Sequence, residues 1–330
     1  MIPQKLKVGD EVRIITPSNG MNILGKDTIE IATQRLQDLG LKVTFGKYVY
    51  ETTGDYAMAS VEHRVEDIES AFKDKNVKAI LTAIGGLNTN QVLSYIDYDI
   101  IKNNPKILCG YSDVTSLLDT VYAKTGLVTY YGPHFSTFGE KKGFEYTLEY
   151  FKKMFFEDEP IDIKPSKQWS CDAWYIDQEN RTFIPNEGIL LINEGNAEGT
   201  IVGGNLGSIN LLQGTEFMPN IKNSILFLEY VAEGEDKSSS YLMIDRLLQS
   251  IIHLPDFKYV KGLVLGRSIK EVQMTSDKWI RLIKSKKELE NIPVIANYDF
   301  GHTTPMITFP IGGKAKIQAI NGNVSLKIEG

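Results

Sequence analysis

Hydrophobic and polar positions in the first half of the chain alternate between short apolar runs and stretches with helical spacing. An apolar run bounded by turn residues predicts a buried strand, and apolar residues three or four positions apart predict an amphipathic helix. These patterns predict strands at Val12–Ile15, Leu41–Phe45, Val77–Ile84, Ile107–Cys109 and Leu127–Tyr131. They predict helices at Ile29–Leu39, Val61–Phe72, Thr89–Ile96, Val114–Val121 and Phe144–Phe155. Such alternation is typical of an α/β fold with a parallel sheet between helices.

The second half of the chain carries more strands and fewer helices. Its apolar runs predict strands at Gly188–Ile192, Thr200–Val202, Ile225–Tyr230, Gly262–Leu265, Val294–Ala296, Ala315–Ile320 and Val324–Ile328. Helices are predicted at Leu206–Leu212, Ser239–Ile251 and Ser276–Lys284. A polar stretch without regular spacing lies between the halves and holds Trp169 and Trp174. We therefore predict an N-terminal α/β domain over 1–163, an inter-domain aromatic segment over 164–187, and a β-rich α/β C-terminal domain over 188–330.

Composition excludes several classes of function. With 330 residues, 42% of them hydrophobic, the chain can bury two sizeable cores. The formal net charge is −6 and no basic patch stands out, so we expect no nucleic-acid partner. No run approaches the roughly 18 apolar residues that span a bilayer, and the first residues lack the apolar stretch of a signal peptide. Cys109 and Cys171 do not make a disulfide framework, so we expect a cytoplasmic protein without membrane contact.

Ser112 lies where a predicted strand passes into a helix. Ile107–Cys109 is the strand, Gly110 suits a sharp turn, and helical spacing begins after Asp113. Such a turn exposes a hydroxyl beside the N–H groups of a helix N-terminus, which can stabilise an oxyanion. The pattern departs from G-x-S-x-G because Val114 stands at the last glycine position. Ser112 is therefore a candidate nucleophile, while a simple helix cap explains Ser112 and Asp113 equally well.

Other candidate site residues lie in loops that follow predicted strands. Gly85 and Gly86 let backbone N–H groups approach a substrate closely, unless they form an ordinary turn. His302 is a candidate base on a loop flanked by glycine and proline, and Glu229 ends an apolar strand as a candidate orienting acid. The chain order would then be Ser, Glu, His. The sequence has no phosphate-binding loop and no metal-ligand spacing, so we expect no cofactor and no metal.

Motifs spread over nearly the whole chain resemble those of the LD-carboxypeptidase family of serine peptidases. Each motif is short, but their order along the chain makes the resemblance specific. They are Leu6-Lys7-Val8-Gly9-Asp10, Thr16-Pro17-Ser18, Ile84-Gly85-Gly86-Leu87-Asn88-Thr89-Asn90, Gly110-Tyr111-Ser112-Asp113, Gly132-Pro133-His134, Gly203-Gly204-Asn205-Leu206, Leu226-Phe227-Leu228-Glu229, Asp245-Arg246-Leu247-Leu248 and Phe300-Gly301-His302. The glycine loop after Ile84 is more similar to the microcin C immunity (MccF-like) branch than to the Arg-Gly-Gly-Tyr-Gly type of murein enzymes.

The resemblance implies roles for the candidate residues. Ser112 matches a nucleophile, His302 a base and Glu229 the acid that orients the base. The backbone N–H groups of Gly86 and Asp113 match an oxyanion hole. Implied substrate contacts are Gly85, Asn88 and Asn205. The resemblance also implies a flavodoxin-like N-terminal domain, a β-rich C-terminal domain, a cleft between them and a homodimer.

The immunity branch implies a small peptidyl or aminoacyl-nucleotide substrate. Its enzymes cut the amide between a C-terminal aspartate and a nucleotide-like group, which gives resistance to microcin C-type antibiotics. Trp169 and Trp174 are candidates to stack on the base, unless they only pin the segment to the core. Arg246 and Arg267 are candidates to bind a substrate carboxylate.

Two alternatives to this function stay open. One is an LD-carboxypeptidase that releases the terminal D-Ala from murein tetrapeptides in peptidoglycan recycling. The other is a non-catalytic small-molecule-binding module. The binding module predicts that Ser112, Glu229 and His302 lie apart in the fold, whereas both enzymes require that they meet.

Overall fold

The computed structural model describes residues 1–54, 56–232 and 239–329. Within those ranges the strands are β1 (Glu11–Ile15), β2 (Lys42–Phe45), β3 (Val77–Thr82), β4 (Ile107–Gly110), β5 (Thr129–Tyr131), β6 (Ile161–Asp162), β7 (Gln168–Trp169), β8 (Ile184–Pro185), β9 (Leu190–Asn193), β10 (Gly195–Asn205), β11 (Ser224–Glu229), β12 (Gly262–Gly266), β13 (Val294–Tyr298), β14 (Phe309–Ile311), β15 (Lys314–Ile320) and β16 (Asn323–Glu329). The α-helices of the same ranges are α1 (Lys26–Asp38), α2 (Val61–Lys73), α3 (Tyr98–Asn103), α4 (Thr115–Thr125), α5 (Glu145–Phe156), α6 (Leu206–Asn210), α7 (Ser240–Ile252) and α8 (Ser276–Lys284).

The first sheet is parallel in the strand order β2-β1-β3-β4-β5, and β14 lies antiparallel beside β5. This parallel order is that of flavodoxin-like folds. Every residue of β4 is buried, which explains why a central parallel strand reads as an unbroken apolar run. The predicted α/β class with a flavodoxin-like N-terminal sheet is thus confirmed.

The second sheet has the order β6-β16-β15-β10-β11-β12-β13-β9. Its centre, β10 to β13, is parallel, and antiparallel strands flank it on both sides. This arrangement confirms the β-rich character predicted for the C-terminal half. Two short strands cross between the halves, because β6 pairs in the second sheet and β14 pairs in the first. The domain limits near residues 163 and 188 stay a prediction.

Some helices differ from the predictions. The stretch predicted as a helix at Thr89–Ile96 forms only a short 3-10 helix at Thr89–Val92, whose first turn follows the Gly85-Gly86 loop. Helix α3 was missed because it is only six residues long and shows too little helical periodicity. The helix after Ser112 begins with a 3-10 turn at Ser112–Val114 and continues as α4. It ends at Gly126, which adopts the left-handed conformation that glycine favours.

The aromatic segment over 164–187 is fastened to the C-terminal half. Strands β7 and β8 form a two-stranded ribbon, and Ser170 pairs with Thr304 in an isolated antiparallel bridge. The Ser166 N–H donates to the buried Asp299 carboxylate at 2.7 Å. This segment is therefore attached on both sides of the loop that carries His302, although its composition gave no regular period.

Among the described residues, none of the helices is long and apolar enough to cross a membrane.

Asp119 on α4 is a buried carboxyl group with little compensation. Its Oδ1 accepts a hydrogen bond of 3.4 Å from the Gly203 N–H, and Oδ2 has no hydrogen-bond partner within the described part of the chain. Burial raises the pKa of Asp119 well above its usual value, and the Gly203 bond offsets this only in part. Burial therefore disfavours the charged form of Asp119 in the folded protein. Because the unfolded chain can ionise this group freely, folding becomes less favourable as the pH rises above the pKa of an unfolded aspartate.

We expect Asp119→Asn to stabilise the protein at neutral pH, because the amide is uncharged in both states. The gain should be about 1.4 kcal/mol for each pH unit above the pKa of the unfolded aspartate, up to the pKa of the folded one. The gain should shrink as the pH falls toward about 4, where the unfolded aspartate is protonated too. Urea unfolding at pH 5 and pH 8 measures this difference, with Asp38→Asn on the exposed end of α1 as the control. An Asp119→Asn effect that is the same at both pH values would contradict the assignment.

Candidate active site

Ser112 occupies a strained turn at the carboxyl end of β4. Its φ of 61° places a non-glycine residue in the left-handed region, which is uncommon and typical of a nucleophile held on a sharp strand-to-helix turn. Gly110, two residues earlier, has no room for a side chain, since an added Cβ would lie 2.1 Å from Thr82 Oγ1. The turn therefore depends on Gly110, as its position before Ser112 suggested.

Ser112, His302 and Glu229 form one hydrogen-bonded relay. His302 Nε2 lies 3.0 Å from Ser112 Oγ, and His302 Nδ1 lies 2.9 Å from Glu229 Oε2. The His302 side chain is 19% exposed and the Glu229 side chain 1% exposed, so solvent reaches the relay at the histidine. The three residues come from the ends of β4 and β11 and from the loop after β13, and the fold brings them together.

The carboxylate of Glu229 is held by donors on both oxygens. Oε1 accepts hydrogen bonds from the Tyr131 hydroxyl at 2.9 Å and from Asn205 Nδ2 at 3.0 Å. Burial alone would raise the pKa of Glu229, but the charge of His302 and the hydrogen bonds from His302, Asn205 and Tyr131 outweigh it and lower the pKa. Glu229 is thus ionised despite its burial, as an acid that orients an imidazolium must be.

Gly301 allows the His302 loop to approach Glu229. Its φ is 107°, and an added Cβ would lie 2.9 Å from Glu229 Oε2. Both the left-handed backbone and the close contact require glycine at this position. The Phe300-Gly301-His302 motif therefore has a direct physical reason.

The Asn205 side chain supports Glu229 by a hydrogen bond to its carboxylate. It is fully buried, its Oδ1 accepts from the Ser208 N–H at 2.9 Å to cap α6, and its Nδ2 donates to Glu229. In the described structure the Asn205 amide thus contacts protein groups on both sides. The substrate contact suggested for Asn205 stays a prediction, and the support of Glu229 is a placement that the sequence did not indicate.

The Gly85-Gly86 loop lies directly against the Ser112 turn. A Cβ on Gly85 would lie 3.0 Å from Ser112 Cβ, and a Cβ on Gly86 would lie 2.3 Å from Ser18 Oγ. Asp113 is in the first turn after the nucleophile, where helix N–H groups lack an intrahelical acceptor. The Gly85-Gly86 loop and the first turn after Ser112 are therefore backbone segments next to the nucleophile. The Gly86 and Asp113 N–H groups stay the predicted donors of an oxyanion hole.

The Asp113 side chain locks three loops around Ser112. Its Oδ2 accepts hydrogen bonds from Ser18 Oγ at 2.7 Å, from the Thr89 N–H at 2.8 Å and from Thr89 Oγ1 at 2.7 Å. Buried Arg64 adds bonds to the carbonyl oxygens of Pro17 and Asn88 at 3.0 and 3.1 Å. The sequence suggested Asp113 as an oxyanion donor through its N–H or as a helix cap, and did not indicate that its carboxylate joins these loops.

Asn88 belongs to the same loop. Its carbonyl accepts from Arg64, and its Nδ2 lies 3.7 Å from Met58 Sδ. The side chain is half-buried beside the loop. The substrate contact implied for Asn88 stays a prediction.

A second histidine, His134, lies behind the Ser112 turn. Its Nδ1 is 2.6 Å from Thr82 Oγ1, and its ring packs 4.2 Å from the ring of Tyr111. The Tyr111 ring in turn lies 5.3 Å from the ring of His302. Burial first, and then the charge of His302, lower the pKa of His134 to about 3, although a backbone hydrogen bond at Tyr111 opposes them. His134 is therefore a neutral packing partner, and His302 is the imidazole that faces Ser112.

The two tryptophans of the aromatic segment lie in different surroundings. Trp169 is buried, with Arg267 5.0 Å and Lys270 5.7 Å above its ring. Trp174 is half-buried and lines a pocket together with His302 and Tyr111. Only Trp174 of the pair borders the candidate active site in the described structure, a distinction that the sequence left open.

The two arginines suggested to bind a substrate carboxylate also lie in different surroundings. Arg267 is 4% exposed and its guanidinium donates to Asn186 Oδ1 at 2.6 Å and to the Asn297 carbonyl at 2.9 Å. It also pairs with Asp299 at 3.4 Å, so it is occupied in joining the aromatic segment to β13. Arg246 is exposed on α7, beside a groove that contains none of the relay residues.

Within the ranges that the structure describes, no group of three or more His, Cys, Asp or Glu side chains is arranged to hold a metal ion.

Family models match both halves of the chain. The model of the LD-carboxypeptidase N-terminal domain matches residues 12–132, and the model of the LD-carboxypeptidase C-terminal domain matches residues 198–317. The first match contains Ser112 and the Gly85-Gly86 loop, and the second contains Glu229 and His302.

Relatives match over almost the full length. An MccF-like protein from Bacillus anthracis is 50% identical, with a TM-score of 0.97 over 100% of this chain and 99% of its own. The microcin C7 self-immunity protein MccF of Escherichia coli is 30% identical over 99% of this chain and 95% of its own. A protein of Bacillus subtilis named "Probable murein peptide carboxypeptidase" is also 30% identical, over 95% of this chain and 90% of its own. Identity alone thus does not separate the two kinds of substrate.

We expect Tyr131→Phe to weaken the relay without disturbing the sheet. Loss of the hydroxyl removes a donor to Glu229 and raises the pKa of its carboxyl, so activity lost on acidification should be lost at a higher pH. A hydrogen bond to a charged group is worth about 1.5–3 kcal/mol, which predicts a loss of about tenfold or more in kcat/KM. The pH profile of kcat/KM measures both effects.

Tyr130→Phe is the matched control, because this neighbour in β5 points to the opposite face of the sheet and packs 4.8 Å from the Phe155 ring. A profile for Tyr131→Phe that coincides with that of Tyr130→Phe would show that the hydroxyl does not support Glu229.

Proposed function

The chain belongs to the LD-carboxypeptidase family of serine peptidases, and from this premise we propose that it cleaves the amide between a C-terminal aspartate and a nucleotide-like group. Such an activity would detoxify microcin C-type antibiotics. The observation that carries the proposal is the Ser112–His302–Glu229 relay beside a pocket that Trp174 lines.

The relay provides a route for acyl transfer. His302 takes the Ser112 proton through Nε2 while Ser112 Oγ attacks the amide carbonyl carbon. Glu229 accepts the hydrogen bond from Nδ1 and stabilises the imidazolium that forms. When the C–N bond breaks, His302 gives its proton to the leaving nitrogen, and a water molecule then hydrolyses the acyl-enzyme.

The oxyanion of the tetrahedral intermediate would bind the N–H groups of Gly86 and Asp113. Both groups lie in loops that the Asp113 carboxylate and Arg64 hold rigid, so little reorganisation accompanies the reaction. A donor removed from such a hole typically costs about 10²–10³ in rate. Gly85 contributes by bringing its backbone close to Ser112 without a side chain between them.

Trp174 supports a nucleotide-like leaving group. An indole at the border of a pocket offers a flat apolar face on which a base can stack. The structure of Escherichia coli MccF in complex with aspartyl sulfamoyl adenosine matches this fold with a TM-score of 0.86. An MccF-like protein from Streptococcus pneumoniae has been solved in complex with AMP. These ligands are those of the relatives, and they indicate the substrate class to test.

The decisive assay compares two substrates, aspartyl sulfamoyl-adenosine and a murein tetrapeptide that ends in D-Ala. We expect the wild-type protein to release aspartate from the first and to leave the second intact. Ser112→Ala should abolish turnover while the adenylate analogue still binds, because only the nucleophile is lost. Release of D-Ala alone would assign the protein to murein peptides, and turnover by Ser112→Ala would exclude the relay.

We expect Trp174→Ala to lower kcat/KM for aspartyl sulfamoyl-adenosine by about tenfold to a hundredfold, since stacking on a base is worth about 1–3 kcal/mol. Trp174→Phe should restore much of the loss because it keeps an aromatic face. Tyr175→Ala, a change at the exposed neighbour, is the control. Equal kinetics for Trp174→Ala and Tyr175→Ala would remove the stacking argument.

A further inference from the structure

The pocket beside His302 has an uneven charge. We call it the His302-side pocket, and its lining includes Tyr111, Glu140, Asp172, Trp174, His302 and Thr303. Two of these residues carry carboxylates. The described residues that line the pocket include no lysine and no arginine.

The two carboxylates differ in how they are compensated. Glu140 is buried, and its Oε2 accepts hydrogen bonds from Arg181 at 2.7 Å and from Thr304 at 2.8 Å. Arg181 lies behind Glu140 with a side chain that is 0% exposed, so it balances Glu140 and does not face the pocket. Asp172 is half-buried, and its Oδ2 accepts from the Thr182 N–H at 2.5 Å. Asp172 has no ion pair among the described residues, so it is the carboxylate of the pocket that lacks a directly paired cation.

The proton transfers indicate which part of the substrate this pocket holds. His302 must deliver its proton to the leaving nitrogen, so the leaving group departs on the His302 side of Ser112. The pocket contacts His302 and the residues on either side of it, and neither Ser112 nor the Gly85-Gly86 loop is among its lining residues. It is therefore placed to hold the leaving group and not the acyl group.

We propose that the His302-side pocket selects against leaving groups with a free carboxylate, and that Asp172 is the residue that determines this selection. The pocket then favours a leaving group that presents hydroxyl or amine donors, and no carboxylate, to the Asp172 carboxylate, which is an acceptor for them. This inference rests on the proposed relay chemistry and narrows the substrate class within it.

The selection would arise because the Asp172 carboxylate repels a carboxylate of the leaving group but accepts a hydrogen bond from a donor at the same place. A carboxylate brought beside an unpaired aspartate is repelled, and like charges at a recognition site cost several kcal/mol. An enzyme that binds a free carboxyl terminus commonly uses arginine or lysine, because a guanidinium or ammonium pairs with the carboxylate. Here the buried Arg181 is paired with Glu140, and Arg267 is bound to Asn186 and Asp299.

The test uses peptide pairs that differ in a single charge. L-Aspartyl-D-alanine and L-aspartyl-D-alaninamide form one pair, and a murein tetrapeptide ending in D-Ala and its C-terminal amide form the other. Binding to full-length Ser112→Ala protein is measured by calorimetry, so that the result does not depend on turnover. We expect the amide to bind at least about tenfold more tightly than the acid in each pair that binds.

A second variant identifies the residue. Asp172→Asn, made in the Ser112→Ala background, keeps an oxygen that can accept from the Thr182 N–H but removes the charge. We expect it to reduce the preference for the amide to less than about threefold, with an unchanged Tm. Asp177→Asn, on the same segment but bound to Asn180 outside the pocket, should keep the full preference.

The outcomes separate this inference from the proposed function. If wild-type protein leaves aspartyl sulfamoyl-adenosine intact but the tetrapeptide amide binds more tightly than the acid, the proposed substrate falls and the selection by Asp172 stands. If aspartyl sulfamoyl-adenosine is cleaved while acids and amides bind equally, the selection falls and the function stands. A preference for the acid, binding of none of the four peptides, or the same preference in Asp172→Asn and Asp177→Asn also overturns the inference.

Discussion

The buried carboxylate of Glu229 constrains how the two halves of this protein pack together. Glu229 ends a strand that is buried at every position, where an unpaired charge would cost several kcal/mol. Its compensation comes from three places: Tyr131 in the first sheet, Asn205 at the end of β10, and His302 after β13. Because these donors belong to both sheets, the charge of Glu229 can be satisfied only when the two halves of the chain are packed together.

The Asp113 carboxylate also joins separate parts of the chain, on the other side of Ser112. It gathers the loops after β1 and β3 onto the turn after β4, so that the backbone N–H groups of the proposed oxyanion hole are fixed before a substrate arrives. The backbone of Ser112, at a φ of 61°, lies in an unfavourable region next to these contacts. The strained nucleophile and the joined loops are thus adjacent features of one turn, in which Asp113 is buried.

The fold was readable from the sequence because its signals are local. Unbroken apolar runs such as Ile107–Cys109 indicate the strands of the central parallel sheet, and the helical spacing after Asp113 indicates the helix that follows. Gly110 and Gly126 indicate the turns before and after that helix. The donors to Glu229 could not be predicted, because Asn205 becomes its neighbour only through the pairing of β10 with β11, and Tyr131 only through the packing of the first sheet against the second. The 3-10 helix at Thr89–Val92 was misjudged for a similar reason, since Thr89 is held by Asp113, which lies 24 residues further along the chain.

Trp169 and Trp174 have different surroundings that the sequence pattern could not distinguish. Both tryptophans lie in one aperiodic segment, yet Trp169 is stacked under Arg267 and Trp174 borders His302. The difference arises because the Ser170–Thr304 bridge and the Ser166–Asp299 bond fasten the segment beside the His302 loop. Before the bridge, Ser166 and Trp169 contact Asp299 and Arg267, and after it, Asp172 and Trp174 line the pocket. A leaving group held by Trp174 would therefore be positioned by the same loop that carries the proposed base.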